Sequence, residues 1–360
     1  MKIKAAITHA QGVNFSLEEV EISEPTANEV LIKIVATGVC HTDAVARDVG
    51  MSPFPAILGH EGSGIVEKVG SSVTSLEKGD HVVISYAACG QCENCLSGHP
   101  SYCNRFMELN FGGKMEDGTH RLYQHNHGIS TFFGQSSFGT FAIANERNLV
   151  KVDKEVDLAL LGPLGCGIQT GSGAVLKALK PEFGTSIAIY GCGAVGLSAV
   201  MAAKIAGCKN IIAVDIHQNR LELAKELGAT HALNSNELNI VEEIMSITNG
   251  GTHYAVEATG VPAVVNQSIE ASRMLSKIAS IGITPAMEIN FPSLSLGKTL
   301  IGVIEGNTVP KLFITDLIDY YKKGLFPFDK LVKFYNFDEI NEAFEDSKKG
   351  ISIKPILIMQ

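Results

Sequence analysis

Short apolar runs separated by turn-forming residues dominate roughly the first 160 positions of the chain. Residues 30–35 and 81–84 are two such runs, and Gly and Pro punctuate the segments between them. Apolar runs bounded by turn residues are typical of β-strands. The pattern therefore predicts a β-rich domain in this part of the chain.

From about residue 168 to 305, apolar strands alternate with helical segments. The predicted strand and helix pairs are 186–190 with 194–205, 211–215 with 219–227, and 254–258 with 263–274, followed by a strand at 277–282. This alternation indicates a parallel, doubly wound α/β sheet. Near the end of the chain, Asp338 is predicted to cap a helix over 339–348, Gly350 to end it, and 351–359 to form a strand.

The predicted fold class is therefore α/β, with a doubly wound parallel sheet beside a β-rich domain. A chain of 360 residues is longer than one compact core usually holds. We predict that 1–167 and 306–360 belong to the β-rich domain and 168–305 to the doubly wound one. The stretch 187–207 is apolar enough to resemble a membrane span, but its glycines and strand-turn-helix pattern favour a buried βα unit.

Composition and net charge argue against some classes of function. The contents of 45% hydrophobic and 19% charged residues are ordinary for a soluble enzyme. A net charge of −9 argues against nucleic acid or an anionic membrane surface as the main partner. No secretory signal opens the chain, so its eight cysteines favour metal ligation or free thiols over disulfides. We expect a cytoplasmic protein that acts on a small molecule.

A glycine motif joins the predicted strand 186–190 to the helix 194–205. Residues 191–196 read Gly-Cys-Gly-Ala-Val-Gly, a GxGxxG pattern that alone would arise by chance roughly 0.4 times in a chain this rich in glycine. Here the strand and helix context is right. Gly191 would allow a tight turn, Gly193 would let a pyrophosphate approach the backbone, and Gly196 would let the helix pack closely. The motif predicts a dinucleotide site.

An acidic residue nineteen positions after the motif indicates which dinucleotide would bind. Asp215 ends the second strand, where it would bind the ribose hydroxyls and repel a 2′-phosphate, so NAD is favoured over NADP. The helix start at Ala194 and Val195 would face the phosphates. Arg220 and Ile281 are further predicted cofactor contacts. The alternative is a structural turn with Asp215 as a surface acid.

Four closely spaced cysteines form the strongest local motif. They are Cys89, Cys92, Cys95 and Cys103. Four thiolates suit a closed tetrahedral zinc site, which leaves no position for substrate and would serve to hold the 90–100 loop. The alternatives are two disulfides, which need an oxidising compartment, or an iron–sulfur cluster, whose usual spacings differ.

Three widely separated residues suggest a second metal site. Cys40 and Cys166 lie far apart in the chain, and His60 stands beside Glu61 between two glycines. A lone cysteine is usually a small buried hydrophobe, and a lone histidine is more often satisfied in the core. The residues alone therefore leave this site open.

The order of these motifs resembles that of the zinc-containing medium-chain alcohol dehydrogenases. The similar segments are Cys-His-Thr-Asp at 40–43, Gly-His-Glu-Gly at 59–62, the four cysteines, 161–167 and the glycine motif. The resemblance covers essentially the whole chain. Within this family the chain is most similar to the bacterial aryl-alcohol (benzyl alcohol) dehydrogenases, on segments 40–43, 60–64, 162–171 and 326–335. It implies a GroES-like catalytic domain, a Rossmann domain, NAD, two zinc ions per subunit, and a homodimer or homotetramer with 298–309 near the subunit edge.

The resemblance also implies a catalytic zinc site. Cys40, His60 and Cys166 would bind the metal, and alcohol dehydrogenase is itself the type example of a Cys₂His catalytic zinc. Glu61 would lie behind the metal, and Asp43 would orient His60 through its other ring nitrogen.

Other residues take roles in cofactor binding and proton transfer by the same resemblance. Thr42 would hydrogen-bond the alcohol oxygen and start a proton relay, and His41 and Lys354 would contact the pyrophosphate. Many relatives carry a histidine three residues after the position of Thr42, where this chain has Val45. Because Val45 cannot carry a proton, we expect a shortened relay that ends at the nicotinamide ribose, at water or at another base. We also expect a steeper dependence of oxidation on external buffer.

An aromatic pair provides the expectation about substrate. Phe132 and Phe133 are predicted to line a pocket for a flat apolar group, with two core aromatics as the alternative. The predicted reaction is oxidation of primary aryl or allylic alcohols. The alternatives are a monoterpenoid (geraniol or perillyl alcohol) dehydrogenase or a glutathione-linked formaldehyde dehydrogenase, and a non-catalytic relative is disfavoured by the intact ligand set.

Overall fold

The structure is a computed structural model that describes residues 1–359. The chain divides into two compact units. The first unit comprises Met1–Cys166, Val309–Ile318 and the segment from Asp329 onward, and the second comprises Gly167–Thr308 and Asp319–Phe328. These bounds describe packing, and the division predicted at 1–167, 168–305 and 306–360 stays a prediction.

The strands and helices have the following bounds. The strands are β1 (Lys2–Thr8), β2 (Ser16–Ile22), β3 (Glu29–Gly38), β4 (Ala56–Ile57), β5 (Gly62–Val69), β6 (His81–Ile84), β7 (Leu122–Gln124), β8 (His127–Thr131), β9 (Phe141–Asn145), β10 (Leu149–Val152), β11 (Ser186–Tyr190), β12 (Asn210–Asp215), β13 (His231–Asn234), β14 (Thr252–Glu257), β15 (Ser272–Ser280), β16 (Thr299–Gly302), β17 (Val332–Asn336) and β18 (Lys354–Ile358). The α-helices are α1 (His41–Val45), α2 (Glu93–Leu96), α3 (Phe106–Phe111), α4 (Leu158–Leu161), α5 (Gly167–Gly173), α6 (Ala194–Ile205), α7 (Gln218–Leu227), α8 (Ile240–Thr248), α9 (Pro262–Glu270), α10 (Phe291–Leu294), α11 (Pro310–Lys322) and α12 (Ile340–Lys348). The 3₁₀ turns are Pro100–Tyr102, Glu146–Asn148, Gly162–Gly165, Glu305–Asn307, Phe328–Leu331 and Phe337–Glu339, and π-helical turns occupy Ala46–Gly50 and Ala174–Leu179.

The first unit is built from a barrel and a sheet. Strands β1, β2, β7, β8 and β4 close the barrel, and the sheet has the order β10-β6-β5-β3-β18-β17, with β9 also paired to β3. Strand side chains alternate between two faces, and β3 contributes to a core on each face: Val30, Ile32 and Ile34 enter one cluster and Leu31 enters another. The β-rich prediction for this region is confirmed.

The second unit contains a parallel sheet of order β13-β12-β11-β14-β15-β16. Every residue of β11 is buried, as expected for a parallel strand covered on both faces. The doubly wound α/β prediction is confirmed, and the apolar stretch 187–207 is mainly β11 followed by α6. Within residues 1–359, no helix has both the length and the apolarity needed to cross a membrane.

Several predicted bounds are wrong. The helix predicted over 263–274 ends at Glu270, and β15 begins at Ser272 because that residue pairs with Thr252 of β14. The last helix is preceded by a capping box in which Asn336, not Asp338, is the cap. The final strand begins at Lys354 rather than 351. Strand β13 and helix α8 were not predicted.

Candidate active site

The four-cysteine segment folds into a lobe in which all four sulfur atoms converge. The four ligand atoms lie within 4.8 Å of one another, and Cys92 Sγ is 3.5 Å from Cys95 Sγ and 4.0 Å from Cys103 Sγ. A tetrahedral zinc with Zn–S bonds of about 2.3 Å places its sulfurs about 3.8 Å apart, whereas a disulfide needs about 2.05 Å. No cysteine of residues 1–359 forms a disulfide. The donor set therefore fits a closed zinc site.

Backbone amides point at the sulfurs of this lobe. Cys89 N donates to Cys103 Sγ at 3.3 Å, and Cys92 N donates to Cys89 Sγ at 3.3 Å. Asn104 N donates to Cys92 Sγ at 3.5 Å, and this hydrogen bond, together with those from Cys95, lowers the pKa of Cys92 to about 6. Burial raises the pKa of the Cys95 and Cys103 thiols. Amide donors of this kind stabilise thiolates, which are the form that binds metal.

A second cluster joins residues that are distant in sequence. The ligand atoms of Cys40, His60, Glu61 and Cys166 lie within 4.8 Å of one another. His60 is fully buried, and its Nε2 has no hydrogen-bond partner. A buried ring nitrogen without a partner is costly, and a metal among these donors would satisfy it. The nearby Cys166 thiol and the Lys354 charge hold the pKa of Cys40 well below its usual value, despite burial.

Asp43 forms hydrogen bonds with both Cys40 and His60 of this cluster. It lies in the first turn of α1, where its carboxylate accepts hydrogen bonds from Cys40 N at 3.0 Å and Gly59 N at 3.1 Å. The same carboxylate lies 2.8 Å from His60 Nδ1. Because a carboxylate only accepts, it favours the proton on Nδ1 and leaves Nε2 as the ligand atom.

Behind the cluster, Glu61 forms a buried ion pair with Lys354. Lys354 Nζ lies 3.0 and 2.9 Å from the two carboxylate oxygens and donates to Val39 O at 3.1 Å. Burial raises the pKa of the Glu61 carboxyl to about 7. Burial by itself would lower the pKa of Lys354, but the negative charge of Glu61 outweighs this effect and raises the pKa. Lys354 was predicted to contact pyrophosphate. Its ammonium is engaged by Glu61 and its side chain is 3% exposed. The contact with pyrophosphate stays a prediction.

The predicted aromatic wall packs against the zinc-ligand candidate. Phe132 is 0% and Phe133 3% exposed. The Phe133 ring stacks on His60 with centroids 4.5 Å apart, and Phe132 meets the same imidazole edge-on at 5.5 Å. Almost no surface of either ring is open to a substrate in this structure, which is the arrangement of core aromatics.

The remaining residues predicted for proton transfer lie on α1. Thr42 is half-buried, with its Oγ1 3.7 Å from Cys40 Sγ, so it lies beside the cluster. His41 is exposed at the first position of the helix, and Val45 is half-buried at its last position.

Sequence reasoning missed one polar residue near His60. Gln135 is buried, and its Nε2 donates to His60 O at 3.0 Å while its Oε1 accepts from Gly62 N at 3.3 Å. The available signal was the pair of glycines that flank His60 and Glu61, because such glycines indicate a closely packed neighbour.

In the second unit, the glycine motif joins β11 to α6. Gly191 has φ 87°, in the left-handed region that glycine tolerates. A Cβ on Gly196 would collide with the carbonyl oxygen of Gly191, whereas one on Gly193 would meet no atom within 4 Å. The backbone at Gly193 is therefore open. Ala194 and Val195 form the first turn of α6.

Beside this turn lies a cavity of about 300 Å³ whose lining includes Gly191, Gly193, Asp215 and Arg220. Asp215 accepts hydrogen bonds from Cys192 N at 2.6 Å and His217 N at 2.8 Å, which fixes its carboxylate at the end of β12. Arg220 Nε is buried without a hydrogen-bond partner. The cavity therefore offers an open glycine backbone, a fixed carboxylate and a guanidinium donor without a partner. These groups suit the polar groups of a nucleotide.

Ile281 lies apart from this lining. It follows β15, is half-buried, and donates its backbone N–H to Glu257 O at 2.8 Å. It is absent from the residues that line the cavity, so its cofactor contact stays a prediction.

Comparison with known proteins agrees with this arrangement. Residues 26–154 match the alcohol dehydrogenase GroES-like domain, and residues 194–320 match the zinc-binding dehydrogenase family. The chain is 44% identical to a geraniol dehydrogenase from Castellaniella defragrans, over 99% of this chain and 97% of that protein.

Two solved structures are also similar. One is a benzyl alcohol dehydrogenase from Acinetobacter calcoaceticus, with 50% identity, TM-score 0.96 and full coverage of both chains. The other is an alcohol dehydrogenase zinc-binding domain protein from Burkholderia ambifaria, with 50% identity, TM-score 0.97, and coverage of 100% of this chain and 99% of that one. The predicted family, fold and enzyme class are confirmed: the chain belongs to the zinc-binding alcohol dehydrogenase family of oxidoreductases.

Proposed function

We propose that this protein oxidises primary aryl or allylic alcohols to aldehydes with NAD, in a reversible reaction at a zinc held by Cys40, His60 and Cys166. The observation that carries the proposal is the buried cluster in which the Nε2 of His60 has no partner. Two thiolates and one imidazole leave a fourth tetrahedral position for a substrate. The similarity to a benzyl alcohol dehydrogenase and a geraniol dehydrogenase supports the substrate class.

Each ligand and its neighbours would contribute a separate property. When bound, zinc supplies a Lewis acid for the alcohol oxygen, and NAD supplies the hydride acceptor. Cys40 and Cys166 would hold the metal as thiolates. Thr42 would hydrogen-bond the alcohol oxygen and pass its own hydroxyl proton onward as it takes the proton of the alcohol, and Asp43 would keep His60 in the ligating tautomer.

A second zinc per subunit would occupy the four-cysteine lobe. Its four sulfurs leave no open position, so this ion would hold the loop and take no part in hydride transfer.

Lys354 would also act behind the zinc. Its ammonium binds both oxygens of Glu61, so it would restrain this carboxylate. As the family resemblance implies, Lys354 and His41 would contact the pyrophosphate, together with the open backbone of the glycine motif.

The preference for NAD over NADP would come from Asp215. A fixed carboxylate at the end of β12 would accept hydrogen bonds from the ribose hydroxyls and repel a 2′-phosphate. Arg220 would contribute the unpartnered donor beside it.

The proton released by Thr42 has no histidine relay at Val45. We therefore propose that buffer or water receives it, and that turnover of the wild type rises with buffer concentration at constant pH. Val45→His should flatten this dependence, and an unchanged slope would count against the proposal.

We also propose that the protein lies in the cytoplasm and that it forms a homodimer or homotetramer, as the family resemblance implies. β16 is the edge strand of the second unit's sheet and lies in the predicted contact range 298–309.

The substrate test follows NADH formation with benzyl alcohol, geraniol, ethanol, and formaldehyde plus glutathione, each with NAD and NADP. We expect high kcat/KM for benzyl alcohol or geraniol with NAD and low values for ethanol. Turnover of geraniol over benzyl alcohol would favour the monoterpenoid alternative. Turnover of formaldehyde plus glutathione alone would replace the proposed substrate class, and inactivity of zinc-loaded protein towards all four would contradict it.

A further inference from the structure

Residues 132–138, which we call the strap, run along the turn 58–62 that carries His60. Ser137 N donates to Gly59 O at 2.9 Å, and Phe138 N donates to Leu58 O at 3.1 Å. These contacts join the strap to the backbone just before His60. The strap is thus a continuous support for one side of the turn.

The two glycines of the turn allow this close approach. A Cβ on Gly59 would lie 2.6 Å from Phe138 N, and a Cβ on Gly62 would lie 2.7 Å from Ser137 Cβ. Such distances are shorter than any ordinary contact, so side chains at these positions would push the strap away. Gln135 then bridges His60 O and Gly62 N across the turn.

One residue of the strap contacts the imidazole itself. The ring of Phe133 stacks on His60 at a centroid distance of 4.5 Å and an interplanar angle of 29°. Its backbone has φ 51°, a left-handed conformation that a bulky residue rarely adopts. Strain of this kind persists only where the surrounding structure enforces it, and it concentrates at functional sites.

Asp43 alone does not fix the direction of His60 Nε2. The second side-chain torsion of histidine is broad, so one hydrogen bond at Nδ1 leaves the ring free to tilt. A second ring in face contact removes most of that freedom, because a tilted imidazole would collide with it. The two contacts together define both the rotation and the plane of the ring.

We propose that Phe133 is a positioning residue that holds the His60 imidazole in the plane required for metal binding, and that the strap exists to keep it there. This inference rests on the proposed function, in which His60 is a zinc ligand. Residues that support a metal ligand typically change metal affinity about 10- to 100-fold when they are replaced. Phe133 would therefore govern metal retention as well as any contact with substrate.

The test compares Phe133→Leu and Phe133→Gly with wild type in full-length, zinc-loaded protein. Leucine keeps most of the volume but removes the aromatic face, and glycine removes the ring while fitting the left-handed backbone. Phe337→Ala is the matched control, since Phe337 is a buried aromatic of the same core cluster that lies outside the strap, in the turn Phe337–Glu339.

The main readout is zinc release to a chromogenic chelator, with the four-cysteine lobe as the internal reference. We expect both Phe133 variants to release one of two zinc ions about 10- to 100-fold faster than wild type, with the other unchanged. Phe337→Ala should release both at wild-type rates. Cobalt-substituted Phe133 variants should also show altered visible absorption, which reports the ligand geometry.

The outcomes separate this inference from the proposed function. Wild type that holds only the lobe zinc would contradict the proposed function itself. Wild type that holds two ions, with unchanged release in both Phe133 variants, would overturn only the positioning role. A raised KM for benzyl alcohol with unchanged zinc release would show that Phe133 is merely a pocket wall. Because glycine fits this backbone, Phe133→Gly keeps the test decisive if Phe133→Leu does not fold.

Discussion

The two candidate metal centres of the first unit are built in opposite ways. The lobe takes its four sulfurs from residues 89–103, and backbone amides donate to them. The Cys₂His cluster takes its donors from positions 40, 60 and 166, and side chains position its histidine. A local segment is thus sufficient for one centre, whereas the other exists only in the folded unit.

This difference separates a structural role from a chemical one. Backbone donors are present whatever the neighbouring side chains are, so the lobe needs little beyond its cysteines. The Cys₂His cluster must leave a position open and still fix each ligand, which requires buried partners such as Asp43 and Phe133. Substitutions at the two centres should therefore have different consequences.

The largest expected effect is from His60→Ala. Removing the imidazole that we propose as a zinc ligand should reduce bound zinc from two ions to one. It should also lower kcat/KM by about 10³-fold or more, because Lewis-acid stabilisation contributes several kcal/mol. Metal analysis and initial rates measure both. The lobe zinc and the melting profile serve as controls, and a variant that keeps two zinc ions would show that His60 is not a ligand.

The corresponding change in the lobe is Cys103→Ala. This variant should lose the lobe zinc and about 4 kcal/mol of stability, since loss of a metal site belongs to the most damaging classes of substitution. Thermal unfolding and metal analysis of the folded fraction measure the result. If activity per retained catalytic zinc collapsed as well, the two centres would not be independent.

Asp43→Asn should have an intermediate effect. Asparagine keeps the shape of the side chain but is a weaker acceptor for the hydrogen bonds from Cys40, Gly59 and His60. We therefore expect the affinity for the proposed catalytic zinc to fall about 10- to 100-fold. Competition with a chelator measures this affinity. The matched control is Asp48→Asn, which changes an exposed carboxylate nearby and should leave affinity unchanged.

The smallest expected effect is from Arg105→Gln, beside the lobe. The guanidinium pairs with Glu108 at 2.7 Å and Glu116 at 3.2 Å, but it is 33% exposed, so its loss should cost less than about 1 kcal/mol. The backbone N–H of residue 105 still donates to Cys103 Sγ. Chelator assays should therefore show unchanged release of the lobe zinc, and faster release would mean that side chains also hold this centre.

Much of the fold could be predicted because its signals are local. The buried β11, the glycine turn and α6 were predicted with their observed bounds, since the apolar pattern and the turn residues lie next to one another. The end of α9 was predicted incorrectly. Residues 271–274 fit a helical pattern, but pairing of β15 with β14 requires a strand from Ser272, and no local signal contains that pairing.

The candidate site shows the same limit. Asp43 beside His60 followed from the family resemblance, but the strap could not be predicted, because Gln135 and Phe133 lie more than seventy positions from the turn they contact. The engagement of Lys354 by Glu61 was also missed. The contacts of Gln135 and Lys354 arise because buried polar atoms must find hydrogen-bond partners. Which atoms are buried together depends on the packed structure.

The sequence by itself determined the two-part architecture, the closed lobe, and the dinucleotide turn, because each depends on residues close together in the chain. Only the tertiary structure decided that Cys40, His60 and Cys166 meet, that His60 Nε2 is left without a partner, and that Phe133 stacks on His60. The physical reason is that long-range contacts are selected by the burial of whole surfaces, whereas spacing along the chain specifies only local geometry.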